Sequence, residues 1–273
     1  MRFSVLASGS RGNACYVETD HAAILIDAGL SCREIVRRLE RIHVMPSRLD
    51  ALIITHEHTD HIRGAGPLAR RLGIPVYLNH DTYQRGIRAF GDLPKSVLIH
   101  TGHTVPVGDL RIETFTKCHD AADPIGILVS CHASRLGVIT DLGRSTRLVT
   151  DRLRGCQALV VEFNHDVDML DHGSYPLHLK RRIKGPDGHL SNHEAGRLVR
   201  SLAHEGLGIL VPAHISRENN RPDVVEREAL NALAQCGLDR TRLEISSQEE
   251  PTPLMEVLRS VGLPPTGTNH GSP

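Results

Sequence analysis

Tryptophan is absent from this 273-residue sequence, and tyrosine and phenylalanine contribute only four residues each. So few aromatic rings cannot fill the interior, and the core must be built from Leu, Val, Ile and Ala. The same scarcity argues against gripping single-stranded nucleic acid by stacking base after base. Net charge is missing as well. The 32 basic residues balance 32 acidic ones, so the total demands no polyanionic partner, although local patches matter more than the sum. No segment approaches the roughly 18 apolar residues of a membrane span. The opening "MRFSVLASGSRGN" meets Gly and Ser before a signal-length apolar run develops. None of the six cysteines falls in a C-x-x-C pair. The expectation is a cytoplasmic protein with reduced, mostly buried thiols and no membrane partner.

What is present is a soluble, globular pattern with strands and helices mixed throughout. "FSVLAS", "ACYVET" and "AAILIDAGL" read as strands separated by Gly-rich or polar turns. "SCREIVRRLERI" has helical spacing, with Ser31 as its N-cap. "LDALIIT" suits a buried strand. "GAGPLARRLG" reads as a helix and "IPVYLN" as a strand. "SVLIH", "DLRIETFT", "GILVSC", "RLGVITDLG" and "ALVVEFN" continue a strand-rich middle. "SNHEAGRLVRSLAHEG" is an amphipathic helix in which Ser191 and Glu194 form a capping-box pattern. "LGILVPAHIS" is a strand running into a histidine, and "PDVVEREALNALAQCG" is a helix. No repeat or long linker interrupts the chain, which favours one α/β domain over residues 1–265 and a disordered tail at 266–273.

The densest chemistry lies in "THEHTDH", residues 55–61, at the end of the "LDALII" strand. Strand-to-helix junctions hold side chains on a rigid scaffold open to a cleft. In extended backbone, His56 and His58 project to the same side. Asp60 and His61 turn into the following helix, so one loop offers ligand pairs to two neighbouring points. Imidazole with carboxylate suits zinc or its divalent neighbours.

This motif resembles the signature of the metallo-β-lactamase superfamily, which implies a four-layer αββα sandwich and a mono- or dinuclear metal site. The resemblance assigns three later ligands to His119, Asp141 and His214, each at a strand end. On it, His56, His58 and His119 hold one metal, Asp60, His61 and His214 hold the other, and Asp141 bridges them. Asp27 in "LIDAG" is either a partner that orients a ligating imidazole or a plain turn aspartate. Cys118 precedes His119 and, in an extended strand, points to the opposite face, into the core. Two cations sharing an activated water imply hydrolysis. They leave zinc, manganese and iron open.

The spacings imply a compact member. His119 to Asp141 is 22 positions, too short for the protruding arm of tRNase Z enzymes, and Asp141 to His214 is 73, without room for a β-CASP domain. "LASGSRGNACYVE", "HEHTDHIRG", "HDAADPIG", "VVEFNHDVDML", "YPLHLKRRIKGPDGHLSNHEAG" and "AHISRENNRP" together resemble the YycJ/WalJ-type group of DNA exonucleases. "PAH" before the last ligand departs from that group, and Pro212 is best tolerated at a sheet edge. The implied activity is a 5′→3′ exonuclease acting on DNA. The alternatives are a thioesterase or lactonase of glyoxalase II type and a tRNase Z-like RNA phosphodiesterase. Lys180, Arg181, Arg182, Lys184 and Arg217 are candidate backbone contacts, with Ser10, Gly12 and Asn13 as further donors near the metals. Lys180 and its neighbours Arg181, Arg182 and Lys184 can equally be a solvated helix face. His189 in "GHLSN" is either a proton donor or phosphate contact oriented by Glu162, or a helix-entry histidine. His165 is a weaker candidate for the same role. Asp60, His189 and Glu162 complete the expected catalytic set, and the oligomeric state is open.

Overall fold

A computed structural model describes residues 1–258. The expected tail, and the last residues of the expected 1–265 domain, lie outside that range. Strands β1 (Arg2–Ala7), β2 (Ala14–Glu18), β3 (Ala23–Ile26), β4 (Ala51–Ile53), β5 (Val76–Leu78) and β6 (Ser96–Leu98) form one sheet in chain order. Strands β7 (Thr104–Val107), β8 (Leu110–Thr116), β9 (Ile125–Cys131), β10 (Ser134–Ile139), β11 (Ala158–Glu162), β12 (Ile209–Ala213) and β13 (Arg242–Leu243) form the second, also in chain order. A last strand, β14 (Met255–Glu256), returns to the first sheet and pairs antiparallel with β1.

The pleat decides the layering. Ile24 and Ile26 of β3 face the second sheet, joining Phe3, Val5 and Ile53 against Ile112, Ile127, Val138, Val160 and Val211. Leu25, between them, points outward with Leu52 onto helices α1 (Cys32–Arg41), α2 (Thr59–Ile62), α3 (Ala65–Leu72) and α4 (His80–Phe90), where Ile35, Leu39, Leu68 and Phe90 receive it. On the other side, Leu128, Leu159 and Leu210 meet helices α5 (Arg147–Leu153), α8 (Asn192–Leu202) and α9 (Pro222–Ala234). The short helices α6 (Val167–His172) and α7 (Leu177–Ile183) lie between α5 and α8 in sequence. The result is the expected αββα sandwich. Strands β3 to β6 and β10 to β13 run parallel, and the central ones are covered on both faces, which is why their sequences are nearly unbroken apolar runs.

Both expected caps form. Ser31 Oγ accepts from Glu34 N at 3.3 Å, and Ser191 with Glu194 makes a complete capping box. Pro212 departs from expectation, because β12 lies between β11 and β13 and is not an edge. The strand tolerates it because β13 stops at Leu243, opposite Leu210. Beyond that point the Pro212 carbonyl accepts from Ser246 N at 3.1 Å.

Candidate metal centre

Strand β4 ends against the loop 54–58, and α2 begins at once with His58 as its N-cap residue in extended conformation. The loop is pinned from below. Asn13 N donates to Asp60 O and Ala28 N donates to His61 O, both at 2.7 Å. Gly29 approaches so closely that a Cβ there would lie 1.6 Å from the Asp60 carbonyl oxygen, so only glycine fits. His56 and His61 are fully buried.

The second sheet brings its groups to the same edge from separate strand ends. His119 follows β8, Asp141 follows β10 and His214 follows β12. The rings of His56, His58 and His119 gather with centroids 4.7 to 5.0 Å apart. His61 Nε2 lies 3.1 Å from Asp141 Oδ2 and 3.5 Å from Asp60 Oδ2, and His214 Nε2 lies 3.5 Å from Asp141 Oδ1. Donor atoms of His56, His58 and His119 all fall within 4.8 Å of one another, and so do those of Asp60, His61, Asp141 and His214. Asp141 also touches the first group, 3.7 Å from His119 Nε2. Three residues of this edge, Asp27, Asp141 and His214, hold positive φ of 60°, 53° and 53°. For residues with a Cβ this left-handed backbone costs about 1–2 kcal/mol each, and such strain concentrates at functional sites.

Carboxylates behind the rings fix their orientation. Asp27 Oδ2 accepts from His61 Nδ1 at 2.7 Å and is held by Thr55 N and Oγ1, both at 2.8 Å. Of the two readings of Asp27, the orienting one describes what it touches. Glu162, fully buried, accepts from His214 Nδ1 and His189 Nδ1, both at 2.9 Å, and from the backbone N–H groups of Asp141, Leu142 and Leu190. His119 Nδ1 donates to Gly188 O at 3.3 Å. His61, His119 and His214 thus turn Nε2 toward the centre, while His58 presents Nδ1, 3.2 Å from His119 Nε2.

The electrostatics fit cations. His56 Nε2, Asp141 Oδ2 and His214 Nε2 are buried with no hydrogen-bond partner among the described residues, a costly condition that a metal would relieve. Burial pushes His56 well below the usual imidazole range and His119 down to about 4, leaving both neutral, as ligation requires. Burial opposes charge on His61 and His214 too, but the carboxylates prevail. Asp141 and Asp27 raise His61 well above its ordinary value, and Asp141, Asp60 and Glu162 raise His214 to about 10. Protons there stand where positive charge is wanted. Lys117, also buried, donates to Thr140 O at 2.6 Å beneath the site, and burial pulls its ammonium below the usual lysine range against the pull of Asp141 and Asp27.

A cleft of about 180 Å³ opens beside these groups, lined in part by Ser10, Asp120, Tyr175, Arg182, His189 and His214. Ser10 is therefore at the cleft. Asn13 is buried instead, its Nδ2 3.0 Å from His61 Nε2 and 3.2 Å from Asp60 Oδ2, so it braces the loop. Lys180 lies outside the cleft and donates to the carbonyls of Asp171 and Gly173. Its neighbour Arg182 is the basic residue that reaches the cleft, held by Asp120 at 2.5 Å. Arg217 lines an adjoining pocket that shares Ser10 and Ser216 with the cleft. His189 is one-fifth exposed, its ring 5.1 Å from that of His214. His165 is buried, bridged to Ser191. Cys118 is half-buried rather than core. Its sulfur accepts from Arg144 at 3.4 Å because the chain has left β8 before reaching it. Arg182 was marked in sequence only as one of a basic run, and Lys117 and Asp120 carried no spacing signal that could have marked them.

The pattern that defines the metallo-beta-lactamase superfamily matches residues 8–128. The chain belongs to that superfamily. More particularly, it is 37% identical to the exodeoxyribonuclease WalJ of Streptococcus pneumoniae, over 94% of this chain and 98% of that one. It is 34% identical to the exodeoxyribonuclease YycJ of Bacillus anthracis, over 87% and 90%. Among solved structures, the metallo-beta-lactamase fold protein YhfI from Bacillus subtilis superposes with a TM-score of 0.72 at 17% identity, covering 92% of this chain and 98% of that one.

Proposed function

We propose that this chain is a metal-dependent phosphodiesterase that degrades DNA from its 5′ end. One observation carries the reading: two sets of His and Asp donors meet at Asp141 beside a cleft that also holds Arg182 and His189. The near full-length likeness to two exodeoxyribonucleases supports DNA as the substrate. His56, His58 and His119 would hold one divalent cation and Asp60, His61 and His214 a second, with Asp141 within reach of both sets. Zinc and manganese both suit these nitrogen and oxygen donors, with iron a third choice. When bound, such cations polarise a phosphoryl oxygen and make water more acidic.

The chain's own residues do the rest. Asp27 and Glu162 lock the imidazoles in one tautomer. Arg182, freed from Asp120, pairs with a phosphate as a planar fork matched to its oxygens. Glu162 engages His189 at Nδ1, leaving Nε2 to carry a proton to the departing 3′ oxygen. Arg217 and Ser10 border the path of the strand. With so few aromatics, binding is led by the backbone, and activity falls steeply with salt.

The test is hydrolysis by the purified protein loaded with Zn²⁺ or Mn²⁺. It is offered 5′-labelled DNA, 5′-labelled RNA and S-lactoylglutathione under the same conditions. Early release of labelled mononucleotide from DNA supports the reading. Thioester cleavage without any DNA product overturns it.

A further inference from the structure

At the far pole of the sandwich, the starts of the same strands meet around a second polar cavity. Strand β3 runs from Ala23 there to Asp27 at the metal centre, and β8 runs from Leu110 there toward His119. The cavity, about 650 Å³, is bordered by the β2–β3, β7–β8 and β9–β10 turns. Three side chains with different donor atoms converge in it. Donor atoms of Asp109, Cys131 and His132 all lie within 4.8 Å of one another. The buried Cys131 sulfur is 3.5 Å from Asp109 Oδ2, while Thr19 Oγ1 donates to Asp109 Oδ1 at 2.5 Å and fixes the carboxylate. His21 lines the same cavity, as do the carboxylates of Glu18, Asp20 and Glu256.

We propose that Asp109, Cys131 and His132 form a separate binding site for a zinc-class divalent cation. A thiolate, an imidazole and a carboxylate make up a three-residue set for tetrahedral zinc, with His21 or water as the fourth ligand. The sulfur selects Zn²⁺ or Co²⁺ over Mn²⁺ or Ca²⁺. On binding, the Cys131 S–H proton passes to solvent and the sulfur binds as thiolate. The ion ties the β7–β8 turn to the β9–β10 turn, and Thr19 extends the tie to the first sheet. The site stands independently of the reaction proposed above.

The experiment titrates the metal-depleted full chain with Co²⁺ alone. The donors at the other end are nitrogen and oxygen only, so a near-ultraviolet thiolate-to-cobalt absorption reports on this site. A saturable band is expected. It should disappear in Cys131→Ser, together with one equivalent of bound cobalt, and persist in Cys118→Ser. No band in the unaltered chain, or a band that survives Cys131→Ser, overturns the proposal. Should Cys131→Ser fail to fold, His132→Asn decides. His132 is exposed at a φ of 52° that asparagine tolerates, so this change keeps the turn. Weakened cobalt binding is expected there, and unchanged binding overturns the site.

Discussion

The two sheets supply the metal centre in opposite ways. The first delivers His56, His58, Asp60 and His61 from one continuous stretch, the loop after β4 and the start of α2, with Asp27 of the neighbouring strand end behind it. The second delivers His119, Asp141 and His214 from three strand ends, and Glu162 behind them serves two histidines and three backbone N–H groups. One half is a local motif that a short peptide already encodes. The other exists only once β8, β10, β11 and β12 have paired, so its precision is borrowed from the sheet.

Several changes would sharpen or break that contrast. Asp141→Ala removes the carboxylate that both donor sets share, and in the Mn²⁺-loaded protein hydrolysis of 5′-labelled DNA should vanish along with bound manganese measured by elemental analysis. Residual turnover with full metal content would argue that the halves work separately. His189→Ala should lower kcat by about 10²–10⁴-fold with metal content intact, because only proton delivery is lost. An unchanged rate removes His189 from the reaction. The two carboxylates behind the rings can be set against each other. Asp27→Asn and Glu162→Gln should each weaken metal affinity by about 10–100-fold, with Glu162→Gln the larger loss because it disturbs more partners. Equal losses by competitive chelation would mean that the strand-borne half is no more dependent on its support than the loop-borne half. The smallest effect is expected at the helix that follows His189. Ser191→Ala breaks the capping box and should cost about 1 kcal/mol in urea unfolding while leaving kcat within about twofold.

The same contrast explains what could be read from the chain. The cluster at 55–61 was legible because its residues are adjacent. The apolar runs ending at Asp141 and His214 were legible because buried parallel strands tolerate few polar residues, whereas β8 before His119 is antiparallel and showed itself by alternation. Helix α4 was not read because its buried face consists of Thr82, Gly86 and Phe90, too little apolar surface to show a period. The short helices α5 to α7 and the two-residue strands β13 and β14 lack the length to announce themselves, and Pro106 interrupts the pattern of β7. Asn13 was taken as a substrate contact because a Gly-rich loop suggests open donors, yet the close packing at Gly29 turns that loop onto the histidines. Lys180 stood in a basic run whose members look alike in sequence, and only helix phase separates it from Arg182.

The pairing of β14 with β1 has a consequence for how the molecule is made. Ser4 and Val5 bond to Thr252, up to 248 positions downstream, and Phe3 sits opposite Met255. During synthesis β1 therefore waits, with one flank bare, until residues 252–256 have left the ribosome. Contacts of such long range slow folding. A nascent chain stalled short of residue 252 would carry the complete histidine loop on a sheet that is still open at its rim.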